Sequence, residues 1–282
     1  MFTAWKSLTR IEQTFFGLPF LLAGVLLPMQ ELNAKFSLYW LWILPAFMCA
    51  RISGMAFNQL IDRHIDAKNP RTKERILPSK GMKEKVAWKI AWGSLILFFM
   101  ICLQINEYCF LMAFVIAFLL FIYSYLKRFT SFCHVVLGVI HFLVPVMSSV
   151  AISGDVLISS FFLGGVAFGL IVGSDIIYAI QDYQFDCDHH LFSIPSRLGL
   201  KKSQSIARLL HGFSLIMLVG LGITAHFPLF YYWVIGITGC VFYIFHKKIE
   251  KKNSEKIFFF LTVSVGSTVF IFVLVSVLWA VM

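Results

Sequence analysis

Two pairs of aspartates recur at the same spacing in a sequence that is poor in acids. Asp62 and Asp66 lie in the stretch FNQLIDRHID, and Asp182 and Asp186 lie in YAIQDYQFD. On a helix, residues i and i+4 share one face, so the carboxylates of such a pair repel each other unless a cation lies between them. One pair would suit a solvated helix end. Two such pairs, among only 14 Asp and Glu, indicate a cation site.

The chemistry that these pairs favour is the binding of Mg²⁺ together with a diphosphate. Mg²⁺ prefers carboxylate oxygens, keeps several waters and is commonly completed by substrate phosphates. Two acid pairs facing each other across a helical bundle are expected to hold one or two Mg²⁺ ions and, through them, a diphosphate. The predicted metal ligands, which are also the predicted catalytic residues, are Asp62, Asp66, Asp182 and Asp186.

Basic residues follow each acid pair along the chain. Arg71 and Arg75 come after the first pair, and Arg197 and Lys201 come after the second. Their side chains suit charge-assisted hydrogen bonds to a diphosphate, so we predict that they bind substrate. Membrane topology alone also predicts cations in such loops, so their position adds only modest weight to this interpretation.

Other polar side chains lie within apolar segments or at their ends. Tyr123 and Lys127 suit an aromatic belt and a snorkelling lysine, but beside the acid pairs they are candidate diphosphate contacts. Asp175 lies inside an apolar segment, where an ionisable residue is by default a functional candidate. Its predicted roles are to bind the acceptor, to hold a cation or to contact Arg51, the other charge inside such a segment.

Two histidines, His134 and His141, are seven residues apart and therefore lie on one face of a helix. Packing and contact with an acceptor are both open to them, and the sequence favours packing. His64, His189 and His190 flank the acid pairs without the regular spacing of metal ligands, and we interpret them as loop residues.

The elements that must position these residues are membrane helices. The chain is 59% hydrophobic and only 13% charged, unlike an average soluble domain, and a span needs about 20 mostly apolar residues. We predict an all-α, multi-pass protein with about nine transmembrane helices in one bundle and a single domain over residues 1–282. The predicted spans are near residues 13–30, 38–60, 86–104, 108–126, 132–152, 158–181, 208–226, 229–246 and 258–281.

The distribution of cations predicts the orientation of the bundle. Of the 24 Lys and Arg, all but Lys35 and Arg51 lie at the N-terminus or in alternate loops and their flanks. By the positive-inside rule this face is cytoplasmic, which places the N-terminus and the active site there. The expected location is the cell (inner) membrane. The same bias explains the net charge of +10 without a nucleic-acid partner.

The acid pairs resemble the motifs of the UbiA superfamily of membrane aromatic prenyltransferases. The first family motif reads approximately NDxxDxxxD, and Asn58, Asp62 and Asp66 match it. The second is a DxxxD, which Asp182 and Asp186 match. The resemblance implies that Asn58 belongs to the substrate-binding residues.

Two further features extend this resemblance, and one departs from it. The family's YxxxK signature is matched by Tyr123 and Lys127, and its nine-helix topology covers essentially the whole chain. Gln59 stands where many members carry Asp, so a third carboxylate is missing from the first motif.

The resemblance implies an enzyme, a Mg²⁺-dependent aromatic polyprenyltransferase. Mg²⁺ held by the aspartates, with lysines and arginines, would neutralise the diphosphate of a polyprenyl donor and help it to leave. The allylic cation would then alkylate a ring carbon of an aromatic acceptor, which loses a proton. The implied partners are polyprenyl diphosphate, the aromatic acceptor and the lipid bilayer.

The loop sequences narrow the branch but leave the acceptor open. DRHIDAKNPRTKERILPSKG resembles the first loop of 4-hydroxybenzoate polyprenyltransferases, which act in ubiquinone biosynthesis. DIIYAIQDYQFDCDHHLFSIPSRLG is similar to a sub-branch that bears the same name but is associated with menaquinone made through futalosine. The expected acceptor is an aromatic acid of the 4-hydroxybenzoate type. A naphthoate precursor of menaquinone is the alternative, and a porphyrin vinyl group fits least.

A transporter or ion pathway is the alternative of another class, since intramembrane acids and basic loops also mark ion routes. A transporter places its polar site near the membrane midplane. Here the acids are expected at one face, which favours the enzyme.

Overall fold

The computed structural model describes residues 2–33, 37–249 and 253–281, and Lys35 lies outside them. Every regular element in these residues is a helix. The α-helices are α1 Phe2–Thr9, α2 Leu18–Glu31, α3 Ile43–Asp66, α4 Glu84–Ile105, α5 Glu107–Leu126, α6 Cys133–Ser153, α7 Ile158–Ala179, α8 Tyr183–Asp188, α9 Ile194–Leu198, α10 Leu200–Thr224, α11 Trp233–His246 and α12 Ser254–Val281. Short 3₁₀ helices cover Ile11–Phe16, Leu38–Trp42, Ile180–Asp182 and Leu229–Tyr232.

The predicted multi-pass helical architecture is confirmed. Within the described ranges, eight helical segments are long and apolar enough to cross a membrane, and the number rises to nine if the bent pair Trp5–Phe16 and Leu18–Glu31 is one span. Some ends differ from the prediction. α3 continues to Asp66 rather than stopping near residue 60, so the first acid pair lies on a helix and not in a loop.

Contacts divide the chain into two compact units. Unit 1 consists of Met1–Thr14 and Ser37–Phe129, and unit 2 consists of Phe15–Phe36 and Thr130–Met282. Each unit therefore contains one of the two acid pairs.

The core of unit 1 fixes α3, the helix that carries the first acid pair. Pro45 lies in the first turn of α3, where its missing N–H costs no intrahelical hydrogen bond. Further along, the buried ring of Phe57 meets Trp92 of α4 and Phe121 of α5 edge to face, with centroids 5.1 and 5.5 Å away. These rings anchor α3 one residue before Asn58.

Unit 2 is built around α7. The candidate span Ile158–Asp188 begins with α7. Its most apolar stretch is 83% buried inside the protein, whereas those of the other candidate spans are 17–44% buried. Gly169 and Gly173 face α10, where an added Cβ would lie 2.6 Å from the Leu210 carbonyl oxygen and 2.6 Å from the His211 ring. Small residues four apart let membrane helices approach this closely. α7 is thereby held in place ahead of the 3₁₀ turn that carries Asp182.

One helix of unit 2 comes from a distant part of the sequence. α2 precedes most of unit 1 along the chain, yet it packs on α6 and α12. At Gly24 an added Cβ would lie 2.7 Å from the Cα of Pro145 in α6. Phe20 and Leu27 are buried in the same hydrophobic cluster as Leu261 and Val265 of α12.

Candidate active site

Asp62 lies one turn before the end of α3, and its carboxylate has two partners within unit 1. Oδ2 accepts a hydrogen bond from Nδ2 of Asn58 at 3.1 Å. Oδ1 lies 3.2 Å from Nη2 of Arg128, which also donates to the carbonyl oxygen of Ile61 at 2.7 Å. Two predicted site residues, Asn58 and Asp62, are therefore in contact, and an arginine neutralises the carboxylate.

Arg128 follows the YxxxK signature directly. Tyr123 lies in the last two turns of α5 and Lys127 is the first residue after that helix, and both are half-buried. The signature and the first acid pair thus belong to one unit and are linked through Arg128. Arg128 was not among the site residues predicted from the sequence. The sequence feature that could have identified it is its position directly after Lys127 of the YxxxK signature.

Asp66, the last residue of α3, is paired with Arg75, whose Nη1 lies 2.7 Å from Oδ2. The intervening loop brings the arginine back to the helix. The side chain of Asn69 accepts a hydrogen bond from the Arg71 amide at 2.9 Å, and Thr72 Oγ1 donates to the Asp66 carbonyl at 3.1 Å. Asn69 and Thr72 are both buried, so this loop is a folded part of unit 1.

The repulsion expected between the first two carboxylates is offset by one arginine for each. The Arg75–Asp66 side chains are 18% and 9% exposed, and those of Arg128–Asp62 are 27% and 19% exposed. Charge-assisted hydrogen bonds of this kind are strong when water is largely excluded. At this end of α3, two carboxylates are thus balanced by two guanidinium groups, so a ligand would meet both negative and positive side chains.

Gln59 stands where a third carboxylate was expected from the family pattern. It is buried, and its Nε2 donates to two backbone carbonyl oxygens of α1, those of Ser7 at 2.9 Å and Leu8 at 2.6 Å. A carboxylate has no hydrogen to donate to a carbonyl. The side chain at this position therefore connects α1 to α3 through a hydrogen-bond donor, which a carboxylate lacks.

Gln59→Glu is expected to lower the stability of the protein by about 3 kcal/mol, because it places an acid against two buried carbonyl oxygens. Thermal unfolding in detergent measures the change. Gln59→Met is the matched control, since it removes the donor without adding charge and should cost less. A Gln59→Glu protein that is as stable as the Met variant would contradict this account of the contact.

The second acid pair differs in its backbone. α7 ends at Ala179, a 3₁₀ turn covers Ile180–Asp182, and α8 then begins at Tyr183. The pair is therefore not carried by a continuous α-helix, because the tighter turn intervenes. Asp182 is 5% exposed and Asp186 is fully buried.

The two predicted substrate-binding cations of unit 2 lie after α8. Arg197 belongs to α9, and its guanidinium carbon lies 3.7 Å from the centroid of the Phe192 ring, a cation–π contact. Lys201 lies in the first turn of α10 and is exposed. Both residues thus remain accessible to a ligand.

Asp175 lies in α7, and its Oδ2 is 2.7 Å from Nδ1 of His134 in α6. His134 is buried, and this contact gives it a role beyond the packing that the sequence favoured. For His141 the structure shows Nδ1 2.9 Å from the carbonyl oxygen of Leu137 in the same helix. No pattern in the sequence pairs His134 with Asp175, which is 41 residues away.

Arg51 shares one face of α3 with Asn58 and Asp62, which follow it by seven and eleven residues. The rise of an α-helix puts it about 16 Å along the axis from Asp62. Its Nε and Nη2 atoms are buried, and among the described residues they have no hydrogen-bond partner. A guanidinium in this state is costly within a membrane helix, so Arg51 is a candidate binding group for an anion.

The donor set fits a hard divalent cation. Within the described part of the chain, no group of three or more His, Cys, Asp and Glu is arranged to hold a metal alone. Two carboxylates in each pair leave most of the six positions around Mg²⁺ to water and to substrate oxygens. These residues therefore suit a metal whose coordination a diphosphate completes.

Known proteins resemble this chain in sequence and in fold. The model of the UbiA prenyltransferase family matches residues 17–274. The 4-hydroxybenzoate octaprenyltransferase of Haemophilus ducreyi is 30% identical over 200 residues, which are 68% of this chain and 69% of that relative.

Two solved structures share the fold. The apo structure of a UbiA homolog from Aeropyrum pernix K1 has a TM-score of 0.82 and 24% identity, covering 96% of this chain and 99% of that one. A UbiA homolog from Archaeoglobus fulgidus bound to GPP and Mg²⁺ has a TM-score of 0.76 and 17% identity, covering 97% and 99%. Because the family model extends over both units and both acid pairs, the chain belongs to the UbiA prenyltransferase family.

Proposed function

We propose that this membrane protein transfers a polyprenyl group from polyprenyl diphosphate to a ring carbon of an aromatic acid of the 4-hydroxybenzoate type, in quinone biosynthesis. The observation that carries the proposal is the set of acids matched by arginines at the end of α3, which suits a metal diphosphate. The name of the Haemophilus ducreyi relative supports the acceptor, and the ligands of the Archaeoglobus fulgidus structure support the donor and the metal.

The donor is assigned to the acid pairs and their cations. Asp62, Asp66, Asp182 and Asp186 are the proposed metal ligands, and Mg²⁺, when bound, would supply positive charge that helps the diphosphate to leave. The proposed diphosphate contacts are Asn58, Arg71, Arg75, Tyr123, Lys127, Arg128, Arg197 and Lys201. A guanidinium has five N–H donors, so Arg75 and Arg128 can each donate to a phosphate oxygen as well as to a carboxylate.

The acceptor is assigned to Arg51. The carboxylate of an aromatic acid would give its buried Nε and Nη2 atoms the acceptors that they lack among the described residues. A naphthoate that carries a carboxylate would satisfy the same arginine, so the two acceptors differ for this site mainly in the size of their rings. The 4-hydroxybenzoate type is preferred because the curated relative carries that name.

The proposed setting follows from the distribution of charge. We infer that residues 1–282 act as one prenyltransferase domain, since a single family model extends over both units. The cation bias supports a cytoplasmic N-terminus, a cytoplasm-facing active site and a location in the cell (inner) membrane.

The test is prenyl transfer by the purified protein in detergent. With a polyprenyl diphosphate and Mg²⁺, we expect a prenylated product from 4-hydroxybenzoate, and removal of Mg²⁺ with a chelator should abolish it until the ion is restored. A parallel reaction with a dihydroxynaphthoate ranks the two acceptors by kcat/KM. The proposal is wrong if neither acceptor is prenylated in a Mg²⁺-dependent manner, and a transporter would then be the class to test.

A further inference from the structure

His134 uses both of its ring nitrogens, and its partners determine which one carries the hydrogen. Nε2 lies 3.3 Å from the backbone nitrogen of Ile194, which can only donate. Nε2 must therefore accept, so the hydrogen is on Nδ1, where it is donated to Asp175 at 2.7 Å. The ring joins α6, α7 and the start of α9.

The contact with Ile194 completes the first turn of α9. The first amides of a helix have no intrahelical acceptor, and each needs another partner. In α9 the Ile194 amide donates to His134, Pro195 has no N–H, and the Ser196 amide donates to the side chain of Ser193 at 3.2 Å. Among the described residues, His134 is therefore the acceptor of this turn that lies outside residues 193–198.

The segment that His134 holds connects an acid of the second pair to a predicted diphosphate contact. At one end, the amide of Leu191 donates to the carbonyl oxygen of Asp186 at 2.8 Å. At the other end, Arg197 follows Ile194 by three residues, which is about one turn of α9. The placement of Arg197 relative to Asp186 therefore depends on where the start of α9 is fixed.

We propose that His134, oriented by Asp175, is a positioning residue that fixes α9 and so keeps Arg197 in place for the diphosphate. The expected effect of His134 on binding of the polyprenyl diphosphate rests on the proposed function, because that function assigns Arg197 to the diphosphate. The attachment of α9 to α6 does not rest on it. Asp175 acts through His134, which accounts for a carboxylate about one turn before the end of the apolar helix α7.

His134→Leu and His134→Gln test the proposal, because Leu removes both hydrogen bonds, whereas the amide of Gln keeps an N–H group that can donate to Asp175 and a carbonyl oxygen that can accept from Ile194. For His134→Leu we expect the KM for the polyprenyl diphosphate to rise about tenfold, with little change in kcat or in the KM for the aromatic acid. Hydrogen exchange at the amides of residues 191–199 should become faster. His134→Gln should restore most of both properties.

His141→Leu is the matched control, since it makes the same substitution two turns further along α6. It should leave the KM for the diphosphate and exchange in residues 191–199 near the wild-type values. Wild-type exchange in His134→Leu would overturn the proposal, and so would a Gln variant as impaired as the Leu variant. A wild-type protein without prenyl transfer would overturn the proposed function, while the exchange experiment would still decide whether His134 fixes α9.

Discussion

Asp186→Asn is expected to reduce kcat for prenyl transfer about 1000-fold while leaving the protein folded. Asp186 is fully buried in α8, and the asparagine has the same shape, so the main change is the loss of a negative charge and of an oxygen ligand for Mg²⁺. The measurement is kcat at saturating donor, acceptor and Mg²⁺, together with thermal unfolding in the same detergent.

The matched control for this variant lies two residues away. Asp188 belongs to the same helix but is exposed, and it accepts a hydrogen bond from Gln184 at 2.9 Å. Asp188→Asn removes the same charge from the same helix and should change kcat less than about twofold, because exposed polar contacts contribute little. If Asp186→Asn kept a tenth or more of the wild-type kcat, Asp186 would not be a metal ligand.

Arg51→Leu is expected to raise the KM for an aromatic acid about 100-fold without lowering the temperature of unfolding. The two effects have different causes. Loss of a buried charge-assisted contact weakens binding of the acceptor carboxylate. Removal of a guanidinium whose buried Nε and Nη2 atoms have no hydrogen-bond partner among the described residues should leave the ligand-free protein as stable or more stable. The measurements are kcat/KM for 4-hydroxybenzoate and thermal unfolding without substrate.

A control variant and a neutral substrate analogue test whether this effect depends on the carboxylate of the acceptor. Arg63 lies on the same helix in an exposed ion pair with Glu84 at 3.0 Å, so Arg63→Leu should change the KM for the acid by less than about twofold. A neutral amide analogue of 4-hydroxybenzoate should be used about equally by wild-type protein and by Arg51→Leu. An unchanged KM for the acid, or a marked loss of stability, would remove Arg51 from the acceptor site.

The helical fold and the shared helix face of the first acid pair were predictable because they depend on local patterns. Long apolar runs predict membrane helices whatever their neighbours are, and a four-residue spacing predicts a shared helix face. Hydropathy gave the wrong end for α3, since Asp62 and Asp66 are polar but remain helical. A polar residue ends an apolar run without ending the helix.

The partners of these residues were not predictable, because they come from distant parts of the chain. Arg128 is 66 residues from Asp62, and His134 is 41 residues from Asp175. Gln59 looked like the loss of an acid, but its acceptors are carbonyl oxygens of α1, which no side-chain pattern reveals. Spacing rules describe neighbours on one helix and do not extend to contacts between helices.

The membership of α2 in unit 2 has a consequence for biosynthesis. Unit 1 is complete once the ribosome has made residue 129, so its helices have all their own partners early in synthesis. α2 emerges before most of unit 1, but its neighbours α6 and α12 begin only at Cys133 and Ser254. Until then, Phe20 and Leu27 lack the α12 side chains with which they are buried in the finished unit. The order of translation therefore favours early folding of unit 1, whereas unit 2 is completed only after α12 has been made.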